Sequence, residues 1–329
     1  TIQIGNFVSK YKNKFTFKLS KEFDAFLNGN IGSYEEKDDI NAGYIKPIFP
    51  GELTNIDRMV KAMYKVTAPG ERRNGFPVNR NLPNFIFDPT AARVSDENIE
   101  EEKMRILSNL NEKRLATQPK QLEAVAKAML ARVMALLQGT PRTGKTTVIA
   151  EIIWQTLSRF PGQKILVTSQ TNLAVDNALE RLKGRKLVRP IRIGKMDKFE
   201  DEGKVYSSDR LSQWYEAKSA SNDEQNNSDN AISEWINNIK VQCSTDTQYS
   251  DIVNQWISFL ESSDKIIKDK FYHSYLEHIN VFAATCSECG SKNFADIYQQ
   301  IYQKGQENLV EPEFDVVIMD EASKATPPE

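Results

Sequence analysis

Two short segments of this sequence carry residues that could bind and activate a phosphate group. The first, Gly139–Thr146, fits the pattern GxxxxGK[ST], in which backbone N–H groups cradle phosphates at the start of a helix. In this pattern Lys145 reaches the outer phosphate oxygens, and the hydroxyl of Thr146 binds Mg²⁺. The apolar segment before the loop predicts a strand, Met134–Gln138, and the segment after it predicts a helix that ends at about Leu157. The segment therefore predicts a nucleotide-phosphate site.

The second segment is an acidic pair at the end of a hydrophobic run. Val316–Met319 predicts a buried strand, and Asp320 and Glu321 follow it directly. We expect Asp320 to hold Mg²⁺, usually through water, and Glu321 to orient and deprotonate the attacking water. Taken alone, the pair could also cap the next helix. Together with the phosphate loop, it predicts phosphoryl transfer to water.

Composition and charge are those of an ordinary globular protein. The chain has 329 residues, of which 40% are apolar and 27% charged, with a formal net charge of −2. This total does not indicate nucleic acid, so any such contact must come from a local patch. No run approaches the roughly 20 apolar residues of a membrane span, and three cysteines make no disulfide framework. We expect an intracellular, cytoplasmic or nuclear protein, with no membrane partner.

The ends of the sequence predict a fragment. The chain begins at Thr1 without an initiator methionine, and it stops a few residues after the acidic pair, at Glu329. We therefore expect the sequence to be part of a longer protein.

The order of the patterns along the chain predicts an α/β protein. From Gln118 to Asp320, helical segments alternate with buried strands, as a parallel sheet requires. The alternation is interrupted at about 200–278 by further helical patterns around a polar, low-complexity stretch, which indicates a helical insertion. Residues 1–50 are β-rich, with strict alternation over Lys14–Leu19. The expected strands of the sheet are Met134–Gln138, Lys164–Ser169, Leu187–Ile193, Val281–Thr285 and Asp315–Asp320.

Four segments resemble, in order, the motifs of a known family. They are similar to motif I, motif Ia, the Thr-Cys segment and motif II of superfamily 1B helicases of the up-frameshift and Dna-two-like kind. The resemblance implies a P-loop RecA-like parallel sheet with helices on both faces. It also implies an ATP-driven helicase or translocase that moves 5′ to 3′ on single-stranded RNA or DNA. The segments are Gln138–Thr147, Ile165–Leu179, Ala283–Cys286 and Val317–Thr326.

The same resemblance implies a division into modules. Residues 1–115 correspond to a β-rich, barrel-like accessory module with a stalk helix. Residues 116–199 and 279–329 correspond to an incomplete RecA-like ATP-binding domain, and 200–278 to its helical insertion. A second RecA-like domain is expected from the rest of the parent chain.

The resemblance also implies which residues bind ATP. Gln121 matches the family glutamine that reads adenine, since an amide can pair with N6 and N7 at once. The alternative is a polar residue on the face of an amphipathic helix. Arg142 departs from the family, which commonly has glycine there. The expected nucleotide-binding residues are Gln121, Gly139, Thr140, Pro141, Arg142, Thr143, Gly144, Lys145, Thr146 and Thr147.

Small polar residues that match motif Ia and the Thr-Cys segment imply contacts to a nucleic-acid backbone, which position a strand without reading its sequence. Helix capping or turn formation is the alternative for each of them. A stretch with eight basic residues and one acid, 181–198, could be the electrostatic footprint of a strand channel or a solvated edge. The expected contacts are Thr168, Ser169, Thr171, Asn172 and Thr285.

Three further hypotheses follow from what the motifs leave open. The chain could bind ATP and nucleic acid without turnover, because the family's γ-phosphate arginine comes from the second RecA-like domain. It could belong to another P-loop superfamily, such as AAA+, which motif Ia argues against. Cys286 and Cys289 form a CxxC pair near His273 and His278, but zinc sites typically have two such pairs, so zinc is the weaker interpretation.

Overall fold

A computed structural model describes most of the chain, which divides into two compact units, Thr1–Phe49 and Pro50–Glu329. The predicted features at Pro141, Arg142 and most of the low-complexity stretch lie outside the described residues. Those described are 5–12, 14–21, 24, 50–67, 88, 98–131, 133–140, 143–216, 230–243, 250–260, 265–302 and 312–324.

In the smaller unit, an antiparallel hairpin confirms the predicted alternation. Strand β1 (Gly5–Tyr11) pairs with β2 (Lys14–Leu19), and Phe7 lies opposite Phe17. The two rings meet edge to face, with their centroids 6.0 Å apart. Such cross-strand aromatic pairs are the contacts that hold an antiparallel pair in register.

The larger unit is built on a parallel sheet, as predicted, which has four strands over the described residues rather than five. The strands are β3 (Ile165–Ser169), β4 (Pro190–Arg192), β5 (Val281–Thr285) and β6 (Val316–Asp320), in the spatial order β4-β5-β3-β6. All pairs are parallel, and helices connect the strands. The protein therefore has the P-loop RecA-like α/β fold.

Helix α4 (Lys145–Arg159), which precedes β3, packs against two groups of buried side chains. It contributes Ile149 and Ile153 to a cluster with the sheet, and it contributes Val148 and Ile152 to a second cluster with the preceding helices. Each such side chain, when fully buried, stabilises the fold by about 1.5–3 kcal/mol. The helices before β4 are α1 (Pro50–Thr67), α2 (Ile99–Ser108), α3 (Pro119–Leu130), α4 and α5 (Asn172–Leu182).

Helices lie between β4 and β5, over the segment that was predicted to be a helical insertion. Its helices are α6 (Asp201–Lys204), α7 (Ser208–Glu216), α8 (Ala231–Cys243), α9 (Ser250–Leu260) and α10 (Lys265–Glu277). Two more helices, α11 (Cys286–Cys289) and α12 (Lys292–Tyr302), lie between β5 and β6. Among the residues described, none of the helices is long and apolar enough to cross a membrane.

One strand prediction is wrong, and another is longer than the strand observed. Met134–Gln138 forms no strand, and its Leu136 and Leu137 stay exposed, so the burial that stabilises a central strand is not gained. The predicted strand Leu187–Ile193 is reduced to β4. Its first part is held instead by the amide of Asn280, which accepts from Arg189 N at 2.9 Å and donates to Leu187 O at 2.7 Å. The side chain of Asn280 thus makes the hydrogen bonds to Leu187 and Arg189 that a neighbouring strand would make in a longer β4.

Candidate functional site

The phosphate loop lies at the start of α4, and Lys145 is folded onto it. Its Nζ donates to the carbonyl oxygens of Gly139 at 3.0 Å and Thr140 at 3.1 Å. The hydroxyl of Thr143 donates to the Thr140 oxygen at 2.7 Å, which tightens the turn. The ammonium is therefore held at the loop by neutral carbonyls. These are weaker partners than phosphate oxygens, which add the attraction of a negative charge for the ammonium.

Two glycines are required by the shape of the loop. A Cβ at Gly139 would lie 2.6 Å from the Thr143 hydroxyl, and one at Gly144 would lie 2.9 Å from Gln121 Nε2. Gly144 also has a φ of +79°, which residues with a side chain rarely adopt. It stands directly before α4, so the first backbone N–H groups of the helix are left without a side-chain cap. Such free N–H groups at a helix N-terminus attract anions.

Gln121 lies against the phosphate loop rather than on a free helix face. Its Nε2 donates to the Thr143 carbonyl at 2.8 Å, across from Gly144. Helix α3 therefore presents the amide beside the loop, where the resemblance places a base-reading residue. The adenine role itself stays a prediction.

The acidic pair stands at the carboxyl end of β6. Asp320 is buried, and one of its oxygens accepts from Glu321 N at 2.8 Å. Glu321 has a φ of +52°, a left-handed conformation that is uncommon for residues other than glycine and often marks a functional site. Its carboxylate accepts from Lys324 Nζ at 2.7 Å, a contact that sequence reasoning missed. The carboxylate that we expect to act as a base is thus held by a neighbouring cation.

The donor groups that remain at the site suit a hard divalent cation. Within the described part of the chain, the second oxygen of Asp320 and the hydroxyl of Thr146 have no hydrogen-bond partner. Carboxylate and hydroxyl oxygens are ligands that Mg²⁺ accepts, with water and phosphate oxygens completing its shell. The residues present therefore fit this ion.

The register of the sheet brings three of the predicted site residues side by side. Ser169 ends β3, and it lies opposite Thr285 on one neighbouring strand and Asp320 on the other. In open parallel sheets, ligands bind at this carboxyl edge. The Ser169 hydroxyl is buried there and has no hydrogen-bond partner.

The other residues expected to touch a strand have local partners in this structure. Thr168 is buried, with its hydroxyl 3.5 Å from the Cys286 sulfur. Thr171 caps α5 by accepting from Ala174 N at 3.4 Å, and Thr285 caps α11 by accepting from Glu288 N at 3.4 Å. Contact with nucleic acid therefore stays a prediction for these residues.

A buried ion pair at the start of α5 was missed by the sequence analysis, which placed Arg192 in a basic surface stretch. The Arg192 side chain is fully buried, and its Nε donates to Asp176 Oδ1 at 2.6 Å. Its two other nitrogens donate to Ile193 O at 2.9 Å and Asn172 Oδ1 at 2.8 Å. Burial lowers the pKa of the Arg192 guanidinium from its ordinary value, and Asp176 opposes that shift. The position of this arginine between Ile191 and Ile193, in a predicted buried strand, could have indicated that it is buried.

The remaining basic residues of 181–198 divide into two groups. Arg185 forms an ion pair with Glu112, and Arg189 is half-buried. The exposed members, which leave the footprint and the solvated edge both open, are Arg181, Lys183, Lys186, Lys195 and Lys198.

The CxxC pair follows β5 at the carboxyl edge of the sheet, and neither cysteine forms a disulfide. Burial raises the pKa of the Cys289 thiol to about 12, so the thiolate that binds metals is disfavoured. Over the described ranges, no group of three or more histidine, cysteine or acidic side chains could hold a metal ion.

Comparison with known proteins connects this site to helicases. A family described as an AAA domain, AAA_11, matches residues 116–329. DNA polymerase alpha-associated DNA helicase A of Schizosaccharomyces pombe is 27% identical over 169 residues, which are 50% of this chain and 25% of that protein. DNA replication ATP-dependent helicase/nuclease DNA2 of Saccharomyces cerevisiae is 36% identical over 133 residues, 39% of this chain and 8% of that protein.

A third relative matches a shorter segment of this chain. DNA-binding protein SMUBP-2 of Mesocricetus auratus is 46% identical over 67 residues, 20% of this chain and 7% of that protein. Each match spans a quarter or less of the relative. The family match covers about two thirds of the chain, and so this chain belongs to the AAA_11 family, the first domain of superfamily 1 helicases.

Proposed function

We propose that this chain is the ATP-binding half of a motor that moves on single-stranded nucleic acid. The observation that carries the proposal is the Lys145 ammonium, folded onto the carbonyls of its own phosphate loop at the uncapped start of α4. The names of the relatives, which include helicases and a DNA-binding protein, support a helicase rather than another P-loop ATPase.

The residues of the site would divide the chemistry of ATP hydrolysis among them. Lys145 would exchange the two loop carbonyls for β- and γ-phosphate oxygens, which are stronger partners for an ammonium. Thr146 and Asp320 would hold Mg²⁺, which neutralises charge that develops on the phosphate oxygens. Glu321 would orient the attacking water and accept its proton. Its contact with Lys324 holds the carboxylate until a water is in place.

The base of the nucleotide would be read by Gln121. The amide that donates to the Thr143 carbonyl has a free oxygen face and could release its donor to adenine. Gly139, Thr140, Pro141, Arg142, Thr143, Gly144 and Thr147 would complete the nucleotide site.

The strand would lie along the carboxyl edge of the sheet. Thr168, Ser169, Thr171, Asn172 and Thr285 converge there from β3, α5 and β5. Contacts of this kind go to phosphate and sugar, so the class of partner is single-stranded RNA or DNA. An intracellular setting follows from this partner.

The module boundaries and the second RecA-like domain belong to the same proposal. Residues 116–199 and 279–329 would form the ATP-binding domain, with 200–278 inserted and 1–115 as an accessory module. A second RecA-like domain would supply the arginine that stabilises the transferring γ-phosphate, which is worth roughly 10³–10⁵ in rate. The alternative is a module that binds ATP and strand without turnover. Phosphate release by residues 1–329 alone at background, restored by a second domain, would favour the motor.

Nucleotide affinity should depend on Lys145. Lys145→Ala is expected to weaken binding of a fluorescent ATP analogue about 10- to 100-fold, because charge-assisted hydrogen bonds to the phosphates are lost. Lys113→Ala, which removes an exposed lysine outside the loop, is the matched control and should bind as the unmodified chain does. Equal affinity in all three proteins would remove the phosphate-loop assignment.

Strand binding should be independent of base sequence and should weaken as salt rises. Each phosphate neutralised on a single strand contributes a slope of about −0.7 to the logarithm of affinity against the logarithm of salt. If the basic stretch is a strand footprint, replacing Lys195 and Lys198 with alanine lowers the slope, whereas Lys265→Ala does not. Fluorescence anisotropy with unrelated oligonucleotides measures this. A strong sequence preference would argue against a motor.

A further inference from the structure

A cavity of about 320 Å³ lies beside the amino end of β4. Its lining comes from the end of α5, the segment before β4, and helices α8 and α10 of the insertion, as shown by Leu182, Pro190, Trp235 and Tyr275. Pro190 begins β4, and none of the described residues of the phosphate loop lines this cavity. Its volume is in the range of small-molecule sites.

The guanidinium of Arg189 at this cavity lacks an acidic partner. Its Nε is buried and has no hydrogen-bond partner, and among the described residues no carboxylate lies within ion-pair distance of it. Burial lowers the pKa of Arg189 from its ordinary value. A desolvated charge is unfavourable unless an opposite charge meets it. The Nε–H of this half-buried guanidinium therefore lacks an acceptor within the described part of the chain.

The position of this cation is fixed by aromatic packing. The Arg189 guanidinium lies 5.6 Å from the centre of the Trp235 ring. That ring packs edge to face against Tyr275 at 5.8 Å and Phe271 at 6.2 Å. An arginine stacked in this way has its planar fork of donors already oriented, so little freedom is lost when it binds an oxyanion.

The one carboxylate that lines the cavity is engaged elsewhere. Glu234 accepts from Gly184 N at 2.6 Å and from the Tyr206 hydroxyl at 3.2 Å, one bond to each oxygen. Lys186 also lines the cavity and is exposed, so cations outnumber anions there. The charge balance favours an anionic ligand over a cationic or neutral one.

We propose that this cavity binds a small organic anion. Arg189 receives its phosphate or carboxylate group, and the aromatic wall of Trp235, Tyr206 and Tyr275 receives its apolar body. Because the lining joins the sheet unit to α8 and α10, the bound anion fixes the insertion against the core. The site is independent of the nucleotide at Lys145.

Ring compounds that differ only in charge test this proposal. Phenyl phosphate, benzoate and the neutral benzamide would each be titrated in the Lys145→Ala background, which weakens the phosphate loop. Binding is followed by tryptophan fluorescence, and Trp235→Phe identifies the responding ring. We expect at least one of the two anions to saturate the signal and benzamide to leave it unchanged. The tighter anion identifies the preferred group.

Variants of the arginine separate anion binding from packing. Arg189→Met keeps the stem over Trp235 and is expected to weaken anion binding about tenfold or more, because a charged hydrogen bond is lost. Arg189→Lys, which keeps the charge without the fork, should give a smaller loss and serves if the methionine variant does not fold. Lys183→Met, an exposed neighbour outside the lining, is the control. Equal binding of benzamide and benzoate, binding of neither anion, or unchanged affinity in both arginine variants would overturn the proposal.

Discussion

Arg192→Met is expected to lower the free energy of unfolding by about 3–5 kcal/mol, because removing one partner of a buried ion pair leaves the other charge uncompensated. The Arg192 and Asp176 side chains are fully buried, and Asp176 would keep only the N–H of Glu200, at 2.9 Å. The loss is a large share of the 5–15 kcal/mol typical of a domain. Denaturant unfolding followed by circular dichroism measures it.

A second variant distinguishes lost charge pairing from lost packing. Arg192→Met combined with Asp176→Asn removes both charges and keeps an acceptor for Glu200 N, so most of the stability should return. Lys204→Met breaks an exposed pair with Asp201 and should have no measurable effect. If the double variant is as unstable as Arg192→Met alone, packing around the guanidinium explains the loss. That packing includes Phe199, whose ring centre lies 4.1 Å away.

Glu321→Gln is expected to reduce strand-stimulated ATP hydrolysis about 10²–10⁴-fold, the range that general-base catalysis contributes. The amide keeps the size of the side chain and the left-handed backbone at this position, so binding of ATP should stay within about twofold. Hydrolysis is measured by phosphate release in a polypeptide that includes a second RecA-like domain. Binding is measured with the fluorescent analogue.

Lys324→Gln is the matched variant for this experiment, since it removes the cation that holds Glu321 and leaves the carboxylate in place. Hydrolysis by this variant should equal or exceed that of the unmodified chain. Turnover that survives Glu321→Gln would assign the base to another residue. Loss of turnover in Lys324→Gln alone would show that the ion pair positions the base during the reaction.

Much of the sheet could be predicted because its strands carry their own signal. β3, β5 and β6 are short apolar runs, and the observed strands Ile165–Ser169, Val281–Thr285 and Val316–Asp320 differ from the predicted bounds by at most one residue. The motif at Lys145 could be recognised because glycine, lysine and threonine at fixed spacing have a local mechanical reason. Helix α4 begins at Lys145, as the motif requires.

Features that depend on contacts between distant segments could not be predicted. The Asn280 amide shortens β4 through two bonds to residues about 90 positions earlier in the chain. Arg192 is read as a surface cation until Asp176 and Asn172 are known to surround it. The Met134–Gln138 run is apolar enough for a strand, yet Leu136 remains exposed, so composition alone did not decide its structure.

The alignment of Asp320, Ser169 and Thr285 across three strands has a geometric consequence. Neighbouring strands are spaced about 4.8 Å apart, so the outer two residues are about 10 Å apart at the backbone. Ladder hydrogen bonds maintain this span, and the insertion between β4 and β5 does not interrupt it. The sheet therefore fixes the distance between the end of β6 and the end of β5. A change in the length of a connecting loop would not alter this distance, because the backbone of β3 sets it.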